Sequence, residues 1–189
     1  MYRLNLREFI KYKLLNSLFL GLSVGSIFTV YAPLEPSIYS MGGIFLAVGM
    51  LVIAKFYYKI LNINYFYRIS LLVEAILLLA IIYFLAFSYD YTTALIYYVG
   101  YQITFTFGSY LVRAETLFLK KTKFISRVDI AKQKGYLLGM LLSYLFYTLL
   151  EKGLHVSDNK MQVYDIHLLL LGVEALIIFY LIRSFKHLK

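Results

Sequence analysis

Residues 69–88 read ISLLVEAILLLAIIYFLAFS, a run of twenty residues with a single charged side chain, Glu74. A helix of this kind spans the hydrocarbon core of a bilayer, which needs roughly 20 largely apolar residues. Similar runs recur along the chain, which is 61% hydrophobic and only 15% charged. A soluble domain is typically about 45–50% apolar and about 25% charged. The composition therefore predicts an integral membrane protein.

Six such runs predict an all-α, polytopic protein that forms a single domain over residues 1–189. They are Leu14–Tyr31, Ile38–Tyr57, Ile69–Ser88, Thr92–Val112, Gly135–Leu150 and Asp165–Ile182. Only a short turn separates the third run from the fourth, which predicts antiparallel neighbours. The basic N-terminal segment has no small-residue cleavage site, so we expect no removable signal peptide.

The basic residues indicate the orientation of the chain. All but two of the 19 lysines and arginines lie in the N-terminal segment, the second and fourth connections, or the C-terminal segment. The two exceptions, Lys152 and Lys160, share the fifth connection. Because such residues collect on the cytoplasmic side, we expect both termini to be cytoplasmic and the membrane to be the cell inner membrane. This distribution also explains the net charge of +9 without a nucleic-acid partner.

A short motif recurs in the third and sixth segments. Val73-Glu74-Ala75 and Val173-Glu174-Ala175 are 100 residues apart. The first segment of the pair runs outward and the second inward, so both glutamates lie ~12–14 Å from the cytoplasmic face. This arrangement favours two inverted three-helix repeats, residues 1–88 and 89–189, as in many secondary transporters. A chance match of three residues between apolar helices is the alternative.

Glu74 and Glu174 are the only acidic residues deep in the predicted spans. A charge at the centre of a membrane helix costs roughly 2.5–3.5 kcal/mol, so such groups face protein or water. One interpretation is that these intramembrane carboxylates couple transport to protons or contact a cation. The other is that each is a protonated carboxyl group bonded to a neighbouring helix.

The fourth segment carries a polar stripe at spacings of four, four, three and four. Its members are Tyr98, Gln102, Thr106, Ser109 and Arg113. These spacings follow one helical face, which predicts an aqueous cavity or a polar helix interface. Arg113 could instead extend toward the lipid headgroups. Asn16, on a weakly polar face of the first segment, is a further predicted cavity-lining residue.

Glycines repeat at a spacing of four on two predicted helices. They are Gly21 and Gly25 on the first helix and Gly135 and Gly139 on the fifth. Such spacing permits close approach of helix backbones. We therefore predict helix packing at these positions, a role that specifies no substrate.

Enzymatic signatures are missing from the sequence. There is no nucleophile-elbow, zinc-protease or phosphate-loop motif, and there is no cysteine. The three histidines are far apart in the sequence, which argues against a metal cluster. We therefore expect a protein that is not an enzyme and needs no cofactor.

Three stretches carry a family resemblance. The run ISRVDIAKQKGYLLG, residues 125–139, is similar to the entry into the fifth helix of major facilitator superfamily transporters. Arg113 resembles the arginine of that family's fourth helix, although the usual Gln-Gly does not follow. Gly49 matches the family pattern after helix two, whereas Ile53 stands where an aspartate is expected. With its six-helix topology, the chain resembles one half of such a transporter.

The resemblance implies a six-helix bundle that needs a second bundle to complete its cavity. We therefore expect a half-sized secondary transporter for a small solute, acting as a homodimer or with a partner membrane subunit. The glycine-bearing faces of the second and fifth helices are candidate contacts between bundles. Two other classes remain open. One is the substrate-binding subunit of an energy-coupling-factor importer, and the other is a non-transporting assembly subunit.

Overall fold

The computed structural model describes residues 2–187, so Lys189, counted above among the C-terminal basic residues, lies outside it. The fold is all-helical apart from a two-stranded ribbon. The helices are α1 (Leu6–Tyr31), α2 (Pro36–Lys55), α3 (Tyr57–Ile60), α4 (Ile63–Ala86), α5 (Tyr91–Thr106), α6 (Gly108–Leu119), α7 (Thr122–Thr148) and α8 (Asn159–Ser184). The strands are β1 (Tyr2–Leu4) and β2 (Phe185–His187), and a single π-helical turn, Leu149–Gly153, extends α7.

Each of the six predicted segments lies mainly in helix, with non-helical residues at positions 56, 87–88 and 107. Within the described residues, α1, α2, α4 and α8 are long and apolar enough to cross a membrane. Helix α5 has only 16 residues because the helix is interrupted at Phe107, and the first half of α7 is rich in lysine. These apolar helices indicate a multi-pass membrane protein.

Two helices begin well before the predicted boundaries. Helix α1 starts at Leu6 instead of Leu14, and α7 starts at Thr122 instead of Gly135. Hydropathy alone does not predict these N-terminal extensions, because residues 6–13 and 122–134 are rich in basic side chains. In each, an inward face is nevertheless buried, as Phe9 illustrates at 0% exposure. The helices therefore extend beyond the apolar runs that revealed them.

The ribbon joins the two ends of the chain. Strands β1 and β2 pair antiparallel, with Leu4 opposite Phe185, and Asn5 donates its backbone N–H to the carbonyl of Ser184 at 2.8 Å. The Phe185 ring is buried against the rings of Phe9 and Phe66. Both ends of the described chain therefore lie at the same end of the bundle, which we call the terminal end.

Helices α1, α4 and α8 form the centre of the bundle. Helix α1 packs against α7 and α8, α4 packs against α8 and α5, and α2 packs on the outside of α5. None of the residues of α2 is buried, and Ile44, Phe45 and Leu51 are each at least 65% exposed. Such a surface is costly in water and suits a hydrocarbon environment.

Candidate functional site

Two buried carboxyl groups meet in the centre of the bundle. Glu74 lies near the middle of α4 and Glu174 in the second half of α8, and neither is more than 1% exposed. The two helices pack against each other, and the carboxyl groups are close enough to interact directly. The two acids singled out by the repeated motif therefore form one site, which we call the acid pair.

Helix α1 provides hydrogen-bond donors to one member of the acid pair. The Tyr12 hydroxyl donates to Oε1 of Glu74 at 2.6 Å. The side-chain amide of Asn16 lies 3.1 Å from Oε1 and 3.4 Å from Oε2 of the same carboxyl group. Tyr12 and Asn16 are one helical turn apart and therefore share a face of α1. Asn16 is thus placed against Glu74 instead of lining an open cavity.

Glu174 has a different environment. Within the described residues, neither of its carboxyl oxygens has a hydrogen-bond partner. The group with which it interacts is the carboxyl of Glu74. Two neighbouring buried carboxylates repel each other, which favours a proton on one of them. Because Glu74 already accepts from two donors, the geometry favours Glu174 as the protonated member.

An ion-pair cluster lies between the acid pair and the terminal end. The carboxyl group of Glu115, on α6, is paired with Lys132 of α7 and lies 3.0 Å from Nζ of Lys13 on α1. Burial acts to raise the pKa of Glu115. The ammonium groups of Lys13 and Lys132 outweigh it and hold that pKa below its usual value. The cluster therefore ties α1, α6 and α7 together through charged groups.

Removing the Glu115 charge is expected to destabilise the protein. We expect Glu115→Gln to lower the free energy of unfolding by about 2 kcal/mol at neutral pH, because it leaves buried Lys13 without its anion. Denaturation by sodium dodecyl sulfate in mixed micelles, followed by far-UV circular dichroism, measures the loss. Asp129→Asn is the matched control, since Asp129 also pairs with Lys132 but its side chain is 56% exposed. That variant should lose less than about 1 kcal/mol.

The same carboxylate predicts a pH dependence. A group whose pKa is lowered by folding stabilises the protein fully above its unfolded-state pKa. That contribution disappears as the pH falls through the folded-state pKa. The stability difference between the wild type and Glu115→Gln should therefore shrink on acidification below the ordinary glutamate range. A difference that is constant with pH would show that the Glu115 charge contributes nothing.

A second polar group lies on the far side of the acid pair. The Tyr97 hydroxyl lies 3.0 Å from Nε2 of buried His167, whose Nδ1 is 2.6 Å from the carbonyl oxygen of Val163. Because that carbonyl can only accept, Nδ1 donates to it. The ring is fully buried, which disfavours an imidazolium, and in the neutral imidazole Nε2 accepts from the Tyr97 hydroxyl. One turn along α5, the buried Tyr101 hydroxyl has no hydrogen-bond partner in the described residues. Tyr97 and Tyr101 share a face of α5 next to the predicted polar stripe.

Most of these partners belong to no motif that the sequence displays. A spacing of four places Tyr12 and Asn16 on one helical face, and the same spacing relates Tyr97 to Tyr101. Those intervals are the signals that could have found them. Glu115 is the one acidic residue in the first half of the connection with the most lysines and arginines. A carboxylate in such a basic stretch can form a buried ion pair with one of them.

The predicted polar stripe is divided between two environments. Tyr98 and Thr106 pack against α2, where Gly42 and Gly49 leave room for their side chains. Gln102 lies between them and is partly buried. Ser109 and Arg113, beyond the interruption at Phe107, are exposed and line an open groove of about 790 Å³ on α6. The stripe therefore faces α2 and this groove, while the neighbouring face of α5 turns toward the bundle interior.

The spaced glycines bring α1 and α7 into close contact. A Cβ on Gly21 would lie 2.8 Å from the backbone nitrogen of Met140, and one on Gly139 would lie 3.0 Å from the Cα of Gly21. A Cβ on Gly135 would overlap the carbonyl oxygen of Leu14. The fourth of these glycines, Gly25, faces the ring of Tyr147.

This packing revises one expectation about the dimer. The glycine face of the fifth predicted helix contacts α1, and the glycines at positions 42 and 49 of the second predicted helix contact α5. Both faces are therefore occupied within the chain and are not free to meet a second bundle. The glycine spacing predicts that two helices pack closely, but it does not identify the partner helix.

In comparisons with known proteins, no protein-family model, no curated protein and no solved structure matches this chain.

Proposed function

We propose that this chain is a half-sized, proton-coupled secondary transporter that moves a small solute and acts as a homodimer. The observation that carries the proposal is the acid pair, two adjacent carboxyl groups buried at the centre of an apolar bundle. Ionisable groups inside a membrane are costly and usually mark ion or substrate pathways. A purely structural role would be served as well by apolar side chains.

The proposed topology has six crossings with both termini in the cytoplasm of the cell inner membrane. Helix α5 and the first turn of α6 together form the fourth crossing, over Thr92–Val112, and the second half of α7 with the π-helical turn forms the fifth. The position of both termini at one end of the bundle supports an even number of crossings. Since most of the lysines and arginines lie at that end in this topology, the positive-inside rule places it in the cytoplasm.

The helix contacts support two inverted repeats. If α1, α2 and α4 correspond to α5, α7 and α8, the contacts of α1 with α7 and α8 match those of α5 with α2 and α4. The buried positions of α4 and α8 also recur at the same offset of 100 residues. These pairs are 63/163, 66/166, 70/170, 74/174, 77/177, 81/181 and 84/184. In this proposal the acid pair lies on the axis that relates the repeats.

The acid pair provides a site for one exchangeable proton. Two adjacent buried carboxyl groups cannot both ionise without a large electrostatic cost, so they hold a proton between them. The neutral His167 and the Tyr97 and Tyr101 hydroxyls provide polar groups on the far side of the pair. On the other side of the pair, toward the terminal end, Lys13 and Glu115 provide charged groups. Movement of a proton into and out of the acid pair would then follow the bundle axis.

The solute pathway is proposed to lie between two copies of the chain. The groove lined by Ser109 and Arg113 is an exposed concavity of about 790 Å³ with a mainly apolar wall and a few polar groups, which suits a small solute. A second copy related by a two-fold axis would cover it, because the same surface then serves both subunits. This is the half-transporter arrangement that the family resemblance implies.

Proteoliposomes that contain a trapped pH-sensitive dye test the proposal. Sugars, nucleosides, short peptides and organic cations are added in turn, and internal pH is recorded. We expect one class to change the internal pH with the wild type but not with Glu174→Gln or Glu74→Gln. Glu151→Gln, which removes an exposed acid, is the matched control and should leave the response unchanged.

Native mass spectrometry of the purified protein separates this function from its competitors. A homodimer supports the proposal. A monomer that copurifies with ATPase subunits would indicate an importer subunit, and a larger hetero-complex without solute flux would indicate an assembly role. Flux that persists unchanged in both glutamine variants would remove the proton-coupling role of the acid pair.

A further inference from the structure

A basic cleft opens at the terminal end of the bundle, between β1 and the turn that joins α6 to α7. It has a volume of about 750 Å³, and Arg3, Lys120 and Lys121 are its charged residues. All three are exposed. The remainder of its lining is mainly apolar and includes Leu6, Ile63, Phe118 and Phe124. The cleft therefore combines cationic groups with an apolar wall.

A smaller cleft of about 400 Å³ adjoins it and shares Arg3. Its other charged residue is Lys186, which stands directly opposite Arg3 in the β1–β2 ribbon. Like charges in this position destabilise a two-stranded ribbon. An anion placed between the two side chains would remove that repulsion.

No acidic residue lines either cleft. Across residues 2–187, the salt bridges of the structure also leave Arg3, Lys120, Lys121 and Lys186 without a carboxylate partner. Two nearby basic residues, Lys11 and Arg183, do have a carboxylate partner, since both pair with Glu8. Four cations around two connected clefts therefore lack an anionic partner among the described residues.

We propose that these clefts bind an anionic phospholipid. The phosphate and headgroup lie between Arg3, Lys186 and the two lysines of the α6–α7 turn, and an acyl chain lies along the apolar wall beside Phe118 and Phe124. A free phosphate ion would satisfy the cations but would make no use of that wall. Basic pockets at the cytoplasmic ends of membrane helices are suited to such headgroups. The site does not depend on whether the chain transports a solute.

Tryptophan quenching by brominated lipids measures this site directly, because the protein contains no tryptophan. Phe124→Trp places the reporter in the cleft. Phe45→Trp places it on the outside of α2, where the side chain is 68% exposed. Each variant is reconstituted in phosphatidylcholine vesicles with a minor fraction of brominated phosphatidylglycerol or, separately, brominated phosphatidylcholine. We expect the phosphatidylglycerol to quench the Phe124→Trp reporter preferentially and to show no preference at the Phe45→Trp reporter.

Charge removal then tests the headgroup contacts. Replacing Arg3, Lys120, Lys121 and Lys186 with glutamine is expected to lower the apparent affinity for phosphatidylglycerol at least about tenfold, since each basic residue near an anionic surface contributes about fivefold. The matched control replaces four other exposed basic residues, Lys55, Lys59, Arg68 and Arg127. It should retain the preference at the Phe124→Trp reporter.

Three outcomes would overturn the lipid assignment. The first is equal quenching by the two brominated lipids at the Phe124→Trp reporter. The second is an equal loss of preference in both four-residue variants, which would show that net charge alone attracts the lipid. The third is loss of the preference on addition of inorganic phosphate but not of sodium chloride at the same ionic strength. That result would assign the clefts to a soluble phosphate group.

Discussion

Replacing Gly139 with alanine is expected to lower the free energy of unfolding by about 3 kcal/mol. The added Cβ would overlap the carbonyl oxygen of Leu18 and lie 3.0 Å from the Cα of Gly21. Both atoms belong to the backbone of α1, so no side-chain rotation can relieve the overlap. Helices α1 and α7 must then separate along their largest contact. Denaturation by sodium dodecyl sulfate, followed by circular dichroism, measures the loss.

Gly172→Ala is the matched control for this prediction. Gly172 lies in α8, and nothing lies within 4 Å of the position that its Cβ would take. Alanine favours helix over glycine by up to about 1 kcal/mol, so this variant should be as stable as the wild type or more stable. Equal losses in the two alanine variants would contradict a close approach of α1 and α7 at Gly139.

The sequence predicted that close approach but could not identify the partner. A spacing of four shows that glycines share a helical face. In a membrane, that face can meet a helix of the same chain or of another, because both present similar apolar surfaces. The sequence therefore offers the glycine face of the fifth predicted helix only as a candidate dimer contact, whereas Gly135 and Gly139 contact α1.

The polar stripe shows a related ambiguity. Its spacings identified one face of the fourth predicted helix. What that face contacts depends on the residues of the helix packed against it. Gly42 and Gly49 are seven residues apart on α2 and accept Tyr98 and Thr106. The interruption at Phe107 then separates Ser109 from these packed residues. No proline marks that interruption, so the continuous apolar run predicted an unbroken helix.

The acid pair was accessible to sequence reasoning because a carboxyl group in an apolar run is rare and costly. The repeated Val-Glu-Ala motif also linked Glu74 to Glu174. Their unequal environments were not accessible, since the donors come from α1, which carries no part of the motif. The Tyr12 and Asn16 bonds to Glu74 arise only when α1 packs beside α4 and α8.

This asymmetry predicts opposite effects of the same substitution at the two acids. Glu74→Leu leaves the Tyr12 hydroxyl and the Asn16 amide buried without an acceptor, so we expect a loss of about 3 kcal/mol. Glu174→Leu removes a carboxyl group whose two oxygens have no hydrogen-bond partner and fills its space with an apolar side chain. We expect that variant to match the wild type or to gain up to about 1 kcal/mol. The same detergent denaturation measures both.

Substitution of Glu174 should therefore abolish proton-coupled transport without lowering the stability of the protein. If Glu174 carries the exchangeable proton, Glu174→Leu folds and dimerises like the wild type but produces no solute-dependent change of internal pH in proteoliposomes. A side chain retained for function at the expense of stability is common in active sites. Glu174→Leu that unfolds as readily as Glu74→Leu would contradict this argument, because it would show that Glu174 holds neighbouring helices together. A stable Glu174→Leu with unchanged proton movement would instead assign the exchangeable proton to another group.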